Sequence, residues 1–166
     1  MKEIKIDKVT LNIGTGEPGD KLEKAKKLLN MITNEKPIET TAKKRIPTWG
    51  LRMGLSIGCK VTLRKNKAEV LLKRLLKAVN NKLGKRKFDN FGNFSFGIKE
   101  YIDIPEARYE PSIGIIGLEV AVTLKRPGYR IKERLLKKAD VGKKQVITKE
   151  QAMEFISQRF DVEVEG

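Results

Sequence analysis

Three segments of the chain alternate apolar and polar residues with a period of two. They run from Val9 to Ile13, from Ile57 to Leu63 and from Leu118 to Leu124. A period of two is typical of strands that have one covered face. Parallel sheets covered by helices on both faces instead have strands that are apolar almost throughout. The alternation therefore predicts an antiparallel sheet with one buried face and one open face.

Helical periodicity indicates what covers the buried face. Apolar residues at helical spacing predict a helix from Asp20 to about Thr33, with Asp20 as its N-cap and Glu23 as the capping-box partner. A basic amphipathic helix is predicted from about Lys67 to Leu83. Its inner stripe comprises Val70, Leu71, Leu75, Leu76 and Val79.

The rest of the chain adds a strand and two further helices. Pro37 precedes an extended segment from Ile38 to Lys43, and Arg130 to Lys138 predicts a short helix. Thr148 and Gln151 form a capping box for a last helix through Phe160. Together these elements predict an α+β fold, an antiparallel sheet of about five strands with helices packed on one face. A length of 166 residues with 39% apolar residues fits a single domain over residues 1–166.

The charge balance restricts the class of partner. The chain has 36 Lys and Arg against 21 Asp and Glu, a net charge of +15. Such an excess favours a polyanionic partner, either nucleic acid or an anionic membrane surface. No apolar run approaches the roughly 20 residues that span a bilayer, and the first residues lack the apolar region of a signal peptide. We expect a cytoplasmic protein without a membrane partner.

The cysteine and histidine content argues against several kinds of chemistry. The chain has one Cys and no His, which excludes an internal disulfide and an imidazole-based triad, and disfavours most metal sites. Cys59 follows the apolar positions of its strand, so we interpret it as a core residue. We expect no catalytic residues, no cofactor and no metal.

One glycine-rich turn allows an alternative function. The segment Gly14 to Gly19 follows a strand and precedes a helix, as in dinucleotide-binding folds, which leaves open an RNA-modifying enzyme with a nucleotide-type cofactor. Glu17 and Asp20 would place negative charge beside a phosphate, and Pro18 removes one backbone N–H. These residues favour a plain turn.

Four phenylalanines cluster between Phe88 and Phe96. They are Phe88, Phe91, Phe94 and Phe96. The cluster could stack RNA bases. Core packing, with a hairpin that turns at Asn90 and Gly92, is the favoured interpretation.

The open face of the predicted sheet has an unusual composition. Its side chains are short and neutral or basic, namely Thr10, Asn12, Ser56, Gly58, Lys60, Thr62, Ala121 and Thr123. Short hydrogen-bonding side chains let another backbone approach closely, so this face suggests binding to RNA or DNA through phosphate and sugar contacts. A merely polar surface remains the alternative.

A basic loop interrupts the regular pattern between Lys44 and Gly54. Pro47, Gly50 and Gly54 are expected to preclude a regular element, and the loop carries several cations. We expect it to project from the domain at about residues 44–54.

Several long stretches of the sequence resemble the universal large-subunit ribosomal protein family numbered five in bacteria and archaea and eleven in eukaryotes. These stretches are Lys8–Glu17, Lys36–Lys44, Gly54–Arg64, Phe88–Glu100 and Pro105–Glu106. They cover most of the chain in the order of the family. The segment Gly142–Met153 resembles the archaeal and eukaryotic type.

The resemblance implies a structural protein of the cytoplasmic ribosome, without catalysis, that anchors 5S ribosomal RNA in the central protuberance. The positions that match the RNA-facing positions of the family or lie beside them are Asn12, Gly14, Glu35, Thr40, Lys43, Lys44, Thr62 and Arg64. Glu35 stands where bacterial members usually have Gln. The implied partners also include large-subunit ribosomal RNA and other central-protuberance proteins. The resemblance implies no cofactor.

Two further contacts are implied by the resemblance. The loop from Arg45 to Met53 aligns with the family's loop that approaches the P-site transfer RNA, which makes Arg45, Trp49 and Arg52 candidate contacts. Trp49 either stiffens the base of the loop or stacks on an RNA base. The region from Phe94 to Pro111 corresponds to the part that reaches a small-subunit protein across the subunit bridge. An RNA-binding protein outside the ribosome is a third hypothesis.

Overall fold

A computed structural model describes residues 2–165, and a five-stranded sheet is its largest element. The strands are β1 (Lys5–Gly14), β2 (Ile38–Thr41), β3 (Ser56–Arg64), β4 (Lys82–Gly84), β5 (Phe94–Ile98), β6 (Leu118–Lys125) and β7 (Glu163–Glu165). The helices are α1 (Asp20–Thr33), α2 (Lys65–Ala78), α3 (Arg130–Glu133) and α4 (Lys149–Phe160). Single turns of 3-10 helix lie at Pro47–Trp49, Lys85–Lys87, Tyr101–Asp103 and Lys143–Gln145.

The sheet has the strand order β2-β3-β1-β6-β5 and is antiparallel, which confirms the predicted α+β class. β2 pairs with β3 so that Ile38 lies opposite Lys60 and Thr40 opposite Gly58, and the register shifts between Thr40 and Thr41. β4 and β7 form a separate parallel pair.

The chain forms two compact units, each with its own buried residues. Unit 1 comprises the residues up to Val9, Leu63–Phe96 and the residues from Ala121 onward, and unit 2 comprises Thr10–Thr62 and Gly97–Val120. The buried side chains of unit 2 include Leu11, Ile13, Leu22, Ala25, Leu28, Leu29, Ile32, Cys59 and Val61. Those of unit 1 include Leu71, Leu72, Leu75, Leu76, Val122, Leu124, Ile147, Ile156 and Phe160. The single domain over residues 1–166 stays a prediction.

The first helix has the predicted ends but not the predicted cap. α1 begins at Asp20 and ends at Thr33, where Asn34 takes a left-handed conformation with φ of 53°. Gly19 occupies the N-cap position, and no side chain caps the helix. The predicted capping box of Asp20 and Glu23 is therefore wrong, since Asp20 is already helical. Both carboxylates still lie in the first turn, where they interact favourably with the helix dipole.

The second helix is shorter than predicted. α2 ends at Ala78, because Asn80 and Asn81 take left-handed conformations, and Leu83 lies in β4 opposite Val164. The predicted inner stripe was partly wrong, since Val70 is 63% exposed. The buried positions are Ala68, Leu71, Leu72, Leu75 and Leu76, and they follow a period of 3.6 more closely.

The last part of the chain contains one short helix and one longer, capped helix. The predicted helix from Arg130 to Lys138 is only one turn, Arg130–Glu133. The capping box of Thr148 and Gln151 at the start of α4 is confirmed. The Gln151 side-chain oxygen also accepts a hydrogen bond from buried Arg126 at 2.9 Å, which ties this helix to the end of β6.

The aromatic cluster belongs mainly to the core, as favoured from the sequence. Phe88, Phe94 and Phe96 are buried, and the rings of Phe88 and Phe94 stack with centroids 5.1 Å apart. Phe91 is 68% exposed at the tip of the hairpin. Cys59 is fully buried, as predicted, and burial raises the pKa of its thiol to about 11. A thiol with that pKa is protonated at neutral pH and is a poor nucleophile.

Candidate nucleic-acid interface

Each long strand of the five-stranded sheet has one buried side and one open side. The positions on the open side of unit 2, of which only Gly58 is buried, are Thr10, Asn12 and Gly14 on β1, Ile38 and Thr40 on β2, Gly58, Lys60 and Thr62 on β3, Gly97 on β5 and Glu119 on β6. Those of unit 1 include Arg64, Ala121, Thr123 and Lys125. We call these positions the open face. The alternation predicted from the sequence places nearly all of them, because side chains of a strand point to opposite sides in turn.

Polar side chains of the open face in unit 2 bond across strands. The Asn12 amide donates to Glu119 Oε2 at 3.4 Å, and the hydroxyl oxygens of Thr10 and Thr62 are 3.3 Å apart. Thr62 is exposed, whereas Thr10 and Asn12 are half-buried. Each group keeps further hydrogen-bonding capacity, since an amide has two donors and one acceptor and a hydroxyl can both donate and accept. These side chains therefore retain donors and acceptors on the open face of unit 2.

Gly58 allows three strands to approach one another on this face. A Cβ at this position would lie 2.6 Å from the Ile13 carbonyl oxygen and 2.9 Å from Thr40 Oγ1. Neither distance is compatible with a real side chain. The sequence showed only that this position is small, because the crowding depends on the neighbouring strands.

The turn after β1 is anchored to β3. The backbone N–H groups of Thr15 and Gly16 donate to the Ile57 carbonyl at 2.9 and 3.0 Å, and the Thr15 hydroxyl donates to it at 3.2 Å. Gly14 is exposed, and a Cβ there would meet nothing within 4 Å. The surface at Gly14 is therefore open to an approaching backbone.

The same turn carries a carboxylate rather than a phosphate cradle. Lys21 Nζ lies 2.7 Å from Glu17 Oε1, and the hydrogen bond and positive charge of Lys21 hold the pKa of Glu17 below its usual value. An ionised carboxylate at the start of α1 repels a phosphate. The turn thus gives no support to a nucleotide cofactor.

Ser56, which the sequence placed on the open face, is engaged elsewhere. Its hydroxyl donates to Glu39 Oε2 at 2.6 Å, and Glu39 lies opposite Cys59, on the other side of β2 from Thr40. Lys26 of α1 also pairs with Glu39. The register shift at Thr41 accounts for the difference, because an extra residue reverses the alternation locally.

The remaining predicted contacts of unit 2 lie around the end of the sheet. Thr40 is half-buried beside Gly58, and Lys43 and Lys44 are exposed directly after β2. Glu35 lies in the turn between α1 and β2, where its backbone N–H donates to Thr33 Oγ1 at 3.3 Å. Glu35 is therefore not on the sheet, unlike Asn12, Thr40 and Thr62.

Arg64 of unit 1 takes part in a cluster that the sequence analysis missed. Its Nη1 lies 3.1 and 3.2 Å from the two carboxylate oxygens of Asp7, and Lys125 Nζ lies 2.6 Å from Asp7 Oδ1. We call these three residues the Asp7 cluster. Burial raises the pKa of Asp7, but the hydrogen bonds and charges of Lys125 and Arg64 outweigh it and hold the pKa below the usual value. Asp7 is therefore ionised at neutral pH.

The direction of the Asp7 side chain departs from the strand pattern. Strict alternation would place Asp7 on the buried side with Val9, yet its two partners lie on the open face with Thr62 and Thr123. Ile6 and Asp7 are both buried, so burial along β1 does not alternate before Val9. No local signal distinguishes such an irregularity from a regular strand, and this explains why the sequence did not reveal the cluster.

The basic loop has more internal order than predicted. Ile46 and Leu51 exchange backbone hydrogen bonds of 3.0 and 3.1 Å, and one turn of 3-10 helix, Pro47–Trp49, closes the tip. The expectation that Pro47 and the glycines preclude a regular element is wrong at this tip, because proline fits the first position of a short helical turn.

The cationic and aromatic side chains of this loop face solvent. Arg45 and Arg52 are exposed, and Trp49 is 71% exposed. Leu51 is buried and fixes the loop at its base. An indole with this exposure does not stiffen the loop by packing.

Neither a membrane-spanning helix nor a metal-binding group occurs in the part of the chain that the structure describes. None of the helices within residues 2–165 is long and apolar enough to cross a bilayer. The same residues contain no group of three or more His, Cys, Asp or Glu side chains arranged to hold a metal ion.

Comparisons with known proteins match nearly the whole length of the chain. A family model described as ribosomal protein L5 matches residues 1–52, and a second model, described as the C-terminus of the same ribosomal family, matches residues 56–155. A protein of Nitrosopumilus maritimus named large ribosomal subunit protein uL5 is 50% identical over 164 residues, which are 99% of this chain and 95% of that protein. Proteins of the same name from Sulfurisphaera tokodaii and Nanoarchaeum equitans are each 48% identical over 165 residues, with 99% of this chain and 93% and 97% of theirs covered.

Proposed function

The chain belongs to the uL5 family of large-subunit ribosomal proteins, and from this membership we propose that it binds 5S ribosomal RNA through the open face of its sheet. Membership of the family also gives the general role of the chain. The chain is a structural component of the large ribosomal subunit, of the archaeal type. The 5S RNA site comprises Asn12, Gly14, Thr40, Lys43, Lys44, Thr62 and Arg64, with Glu35 at its margin.

The composition of the open face in unit 2 carries this proposal. Thr10, Asn12 and Thr62 offer donors and acceptors on short side chains, and Gly14 leaves room for a backbone. Contacts of this kind position a protein on sugars and phosphates. The net charge of +15 supplies the long-range attraction.

Salt dependence tests the electrostatic part of the proposal. Each neutralised phosphate contributes roughly 0.7 to 0.9 to the slope of log affinity against log salt concentration. Binding to 5S RNA should therefore weaken steeply as salt increases. A measured slope shallower than about −2 would leave only two or three phosphate contacts and would contradict the proposal.

Asn12→Ala tests the hydrogen-bonding part. The variant should weaken 5S RNA binding by about 1 to 3 kcal/mol and leave the melting temperature nearly unchanged, because Asn12 lies outside the core. Lys77→Ala, on the exposed side of α2, is the matched control and should leave specific binding nearly unchanged. Equal losses in the two variants would show that binding to the sheet is not specific.

For the basic loop we propose contact with P-site transfer RNA. The backbone hydrogen bonds between Ile46 and Leu51 hold the loop together, and the side chains of Arg45, Trp49 and Arg52 are exposed to solvent. Arg45→Ala combined with Arg52→Ala should leave 5S affinity nearly unchanged and destabilise P-site transfer RNA on assembled ribosomes. Lys43→Ala combined with Lys44→Ala should reduce 5S affinity and leave P-site transfer RNA bound as in the unmodified ribosome. If the Arg pair loses 5S RNA as completely as Asn12→Ala does, the loop belongs to the 5S site.

Trp49 fluorescence gives a second readout of the loop. An exposed indole should emit at long wavelength in the free protein and shift or be quenched when RNA stacks on it. Blue-shifted emission from the free protein would instead indicate that the ring is already packed.

The segment from Phe94 to Pro111 is proposed to contact a small-subunit protein across the subunit bridge. Tyr101 is buried and its hydroxyl accepts the Glu110 N–H at 3.0 Å, which fixes the segment, while Tyr109 is 56% exposed. Tyr109→Ser should reduce association of the two subunits without affecting 5S binding. Unchanged subunit association in this variant would show that Tyr109 does not take part in the contact. Large-subunit RNA and other central-protuberance proteins complete the proposed partners.

A further inference from the structure

The Asp7 cluster combines one buried acidic residue with two exposed basic residues. Asp7 is 6% exposed, whereas the side chains of Arg64 and Lys125 are 56% and 46% exposed. A buried carboxylate that holds two exposed cations at its rim neutralises only one of their charges. The cluster therefore keeps a net charge of +1 on the side that faces solvent.

The geometry leaves donors available in both cations. Arg64 contacts Asp7 through Nη1, and its guanidinium has further N–H groups on Nη2 and Nε. Lys125 uses one direction of its ammonium group at 2.6 Å and has three N–H donors in total. A guanidinium fork beside an ammonium group matches the oxygens of a phosphate.

The surroundings of the cluster also favour an anion. A recess of about 430 Å³ lies beside the cluster and is lined by Glu3, Lys5, Ile6, Asp7, Arg64, Lys65, Asn66, Glu69, Lys125 and Arg159. Glu3 pairs with Lys5 at 3.1 Å, and Glu69 pairs with Arg159 at 3.0 Å. The acids of the recess are therefore neutralised, and the positive excess remains at the Asp7 cluster and Lys65.

We propose that Asp7 is a positioning residue that holds Arg64 and Lys125 side by side to bind one phosphate of the RNA backbone. Two cations on flanking strands would repel each other and move apart without the carboxylate between them. Asp7 thus increases phosphate affinity although it lowers the net positive charge. The inference rests on the proposed binding of 5S RNA and extends that site to Asp7 and Lys125.

A comparison of two neutralising substitutions tests the inference, because it predicts opposite signs for them. Asp7→Asn and Glu3→Gln each remove one carboxylate and raise the net charge equally. General electrostatic attraction alone predicts slightly tighter RNA binding for both variants. Positioning predicts that Asp7→Asn weakens 5S RNA binding about three- to tenfold, since its amide NH₂ repels one cation, and makes the salt slope shallower by roughly 0.7 to 0.9. Glu3→Gln should bind as tightly as the unmodified protein or more tightly.

Arg64→Gln identifies the residue through which Asp7 acts. In that background, Asp7→Asn should have little further effect, because the fork is already lost. An equal loss in both backgrounds would overturn the inference, as would Asp7→Asn binding RNA as tightly as Glu3→Gln. If Asp7→Asn does not fold, the variants Arg64→Gln and Lys125→Gln test whether the cluster binds a phosphate. Each should make the salt slope shallower by roughly 0.7 to 0.9, and Lys77→Gln on α2 should have a clearly smaller effect.

A generic RNA duplex of equal length separates this inference from the function it rests on. Phosphate contacts do not read sequence, so the Asp7→Asn effect on the salt slope should occur with both RNAs. If the unmodified protein binds both RNAs equally, the proposed 5S specificity fails and the Asp7 effect is still measured. If the protein binds neither RNA, both proposals fail.

Discussion

On the open face of the sheet, the bonds between strands in unit 2 join mainly short side chains, whereas those in unit 1 join two long cations to Asp7. In unit 2, Thr10, Asn12 and Thr62 bond to residues on neighbouring strands over 3.3 to 3.4 Å. In unit 1, Asp7 draws Arg64 and Lys125 to within 2.6 to 3.2 Å. Each region is organised by contacts between strands, but only in the second are both partners of each contact ionised.

The difference teaches that one strand pattern presents two kinds of hydrogen-bonding surface, and under the proposed function each would make a different kind of RNA contact. Neutral hydroxyl and amide groups can bond to sugars and phosphates without a strong desolvation cost, and their small size permits close approach. Charged groups act over a longer range and release counterions, so their contribution depends on salt. We expect the contacts of Thr10, Asn12 and Thr62 to be less sensitive to salt than those of Arg64 and Lys125.

Gly58→Ala should have the largest effect, because it breaks the close approach of strands on which the unit 2 region depends. Its Cβ would lie 2.6 Å from the Ile13 carbonyl oxygen, so the backbone must shift. We expect a loss of about 1 to 3 kcal/mol in the free energy of unfolding together with weaker RNA binding. Urea unfolding monitored by circular dichroism measures the first quantity.

Gly97→Ala and Gly14→Ala are matched controls for this prediction. A Cβ at either position would meet nothing within 4 Å. Gly97→Ala should leave stability and RNA binding unchanged, whereas Gly14→Ala should reduce RNA binding alone. Equal stability of the Gly58 and Gly97 variants would contradict the crowding on this face.

Val61→Ala and Thr62→Ala compare the two sides of one strand. Val61 is 4% exposed, and its truncation should lower the free energy of unfolding by about 2 kcal/mol through a cavity. Thr62 is exposed, so its truncation should change stability by less than about 0.5 kcal/mol while weakening RNA binding. Thermal unfolding and RNA titration of both variants suffice. A Thr62 variant as unstable as the Val61 variant would mean that the faces are assigned wrongly.

Lowering the pH should weaken the Asp7 cluster, with a smaller effect on stability than the substitutions above. The pKa of Asp7 is lowered in the folded protein, so its stabilising contribution is complete above the unfolded pKa of about 3.9 and is lost as pH falls through the folded value. The stability difference between the unmodified protein and Asp7→Asn should be roughly 1 kcal/mol at pH 7, unchanged at pH 5, and smaller below pH 4. Urea unfolding at several pH values measures it. A difference that persists unchanged at the lowest pH would show that charge is not its cause.

The sequence predicted well the features that depend on local periodicity. α1 ends at Thr33 as predicted, β3 extends one residue beyond the predicted segment at each end, and Thr148 and Gln151 cap α4 as expected. Alternation fixes the face of each residue as long as the strand is regular, which explains why Asn12 and Thr62 were placed correctly. The family resemblance was likewise confirmed, because it rested on long stretches rather than on one motif.

Predictions failed where distant parts of the chain compete with the local pattern. Leu83 continues the apolar spacing of α2, yet it pairs with Val164 in a strand, since a partner 81 residues away outweighs a further helical turn. Ser56 alternates regularly in the sequence, but the register shift at Thr41 turns it to Glu39. Helix and strand propensities are small compared with such tertiary contacts.

The sequence by itself determined that this chain forms a basic sheet with one open face of short polar side chains, because periodicity and charge are properties of the chain alone. Only the tertiary structure decided that Gly58 must lack a side chain and that Asp7 joins Arg64 to Lys125. Both features arise where three strands lie side by side. Their spacing is set by the pairing of residues far apart in the chain, which no local pattern encodes.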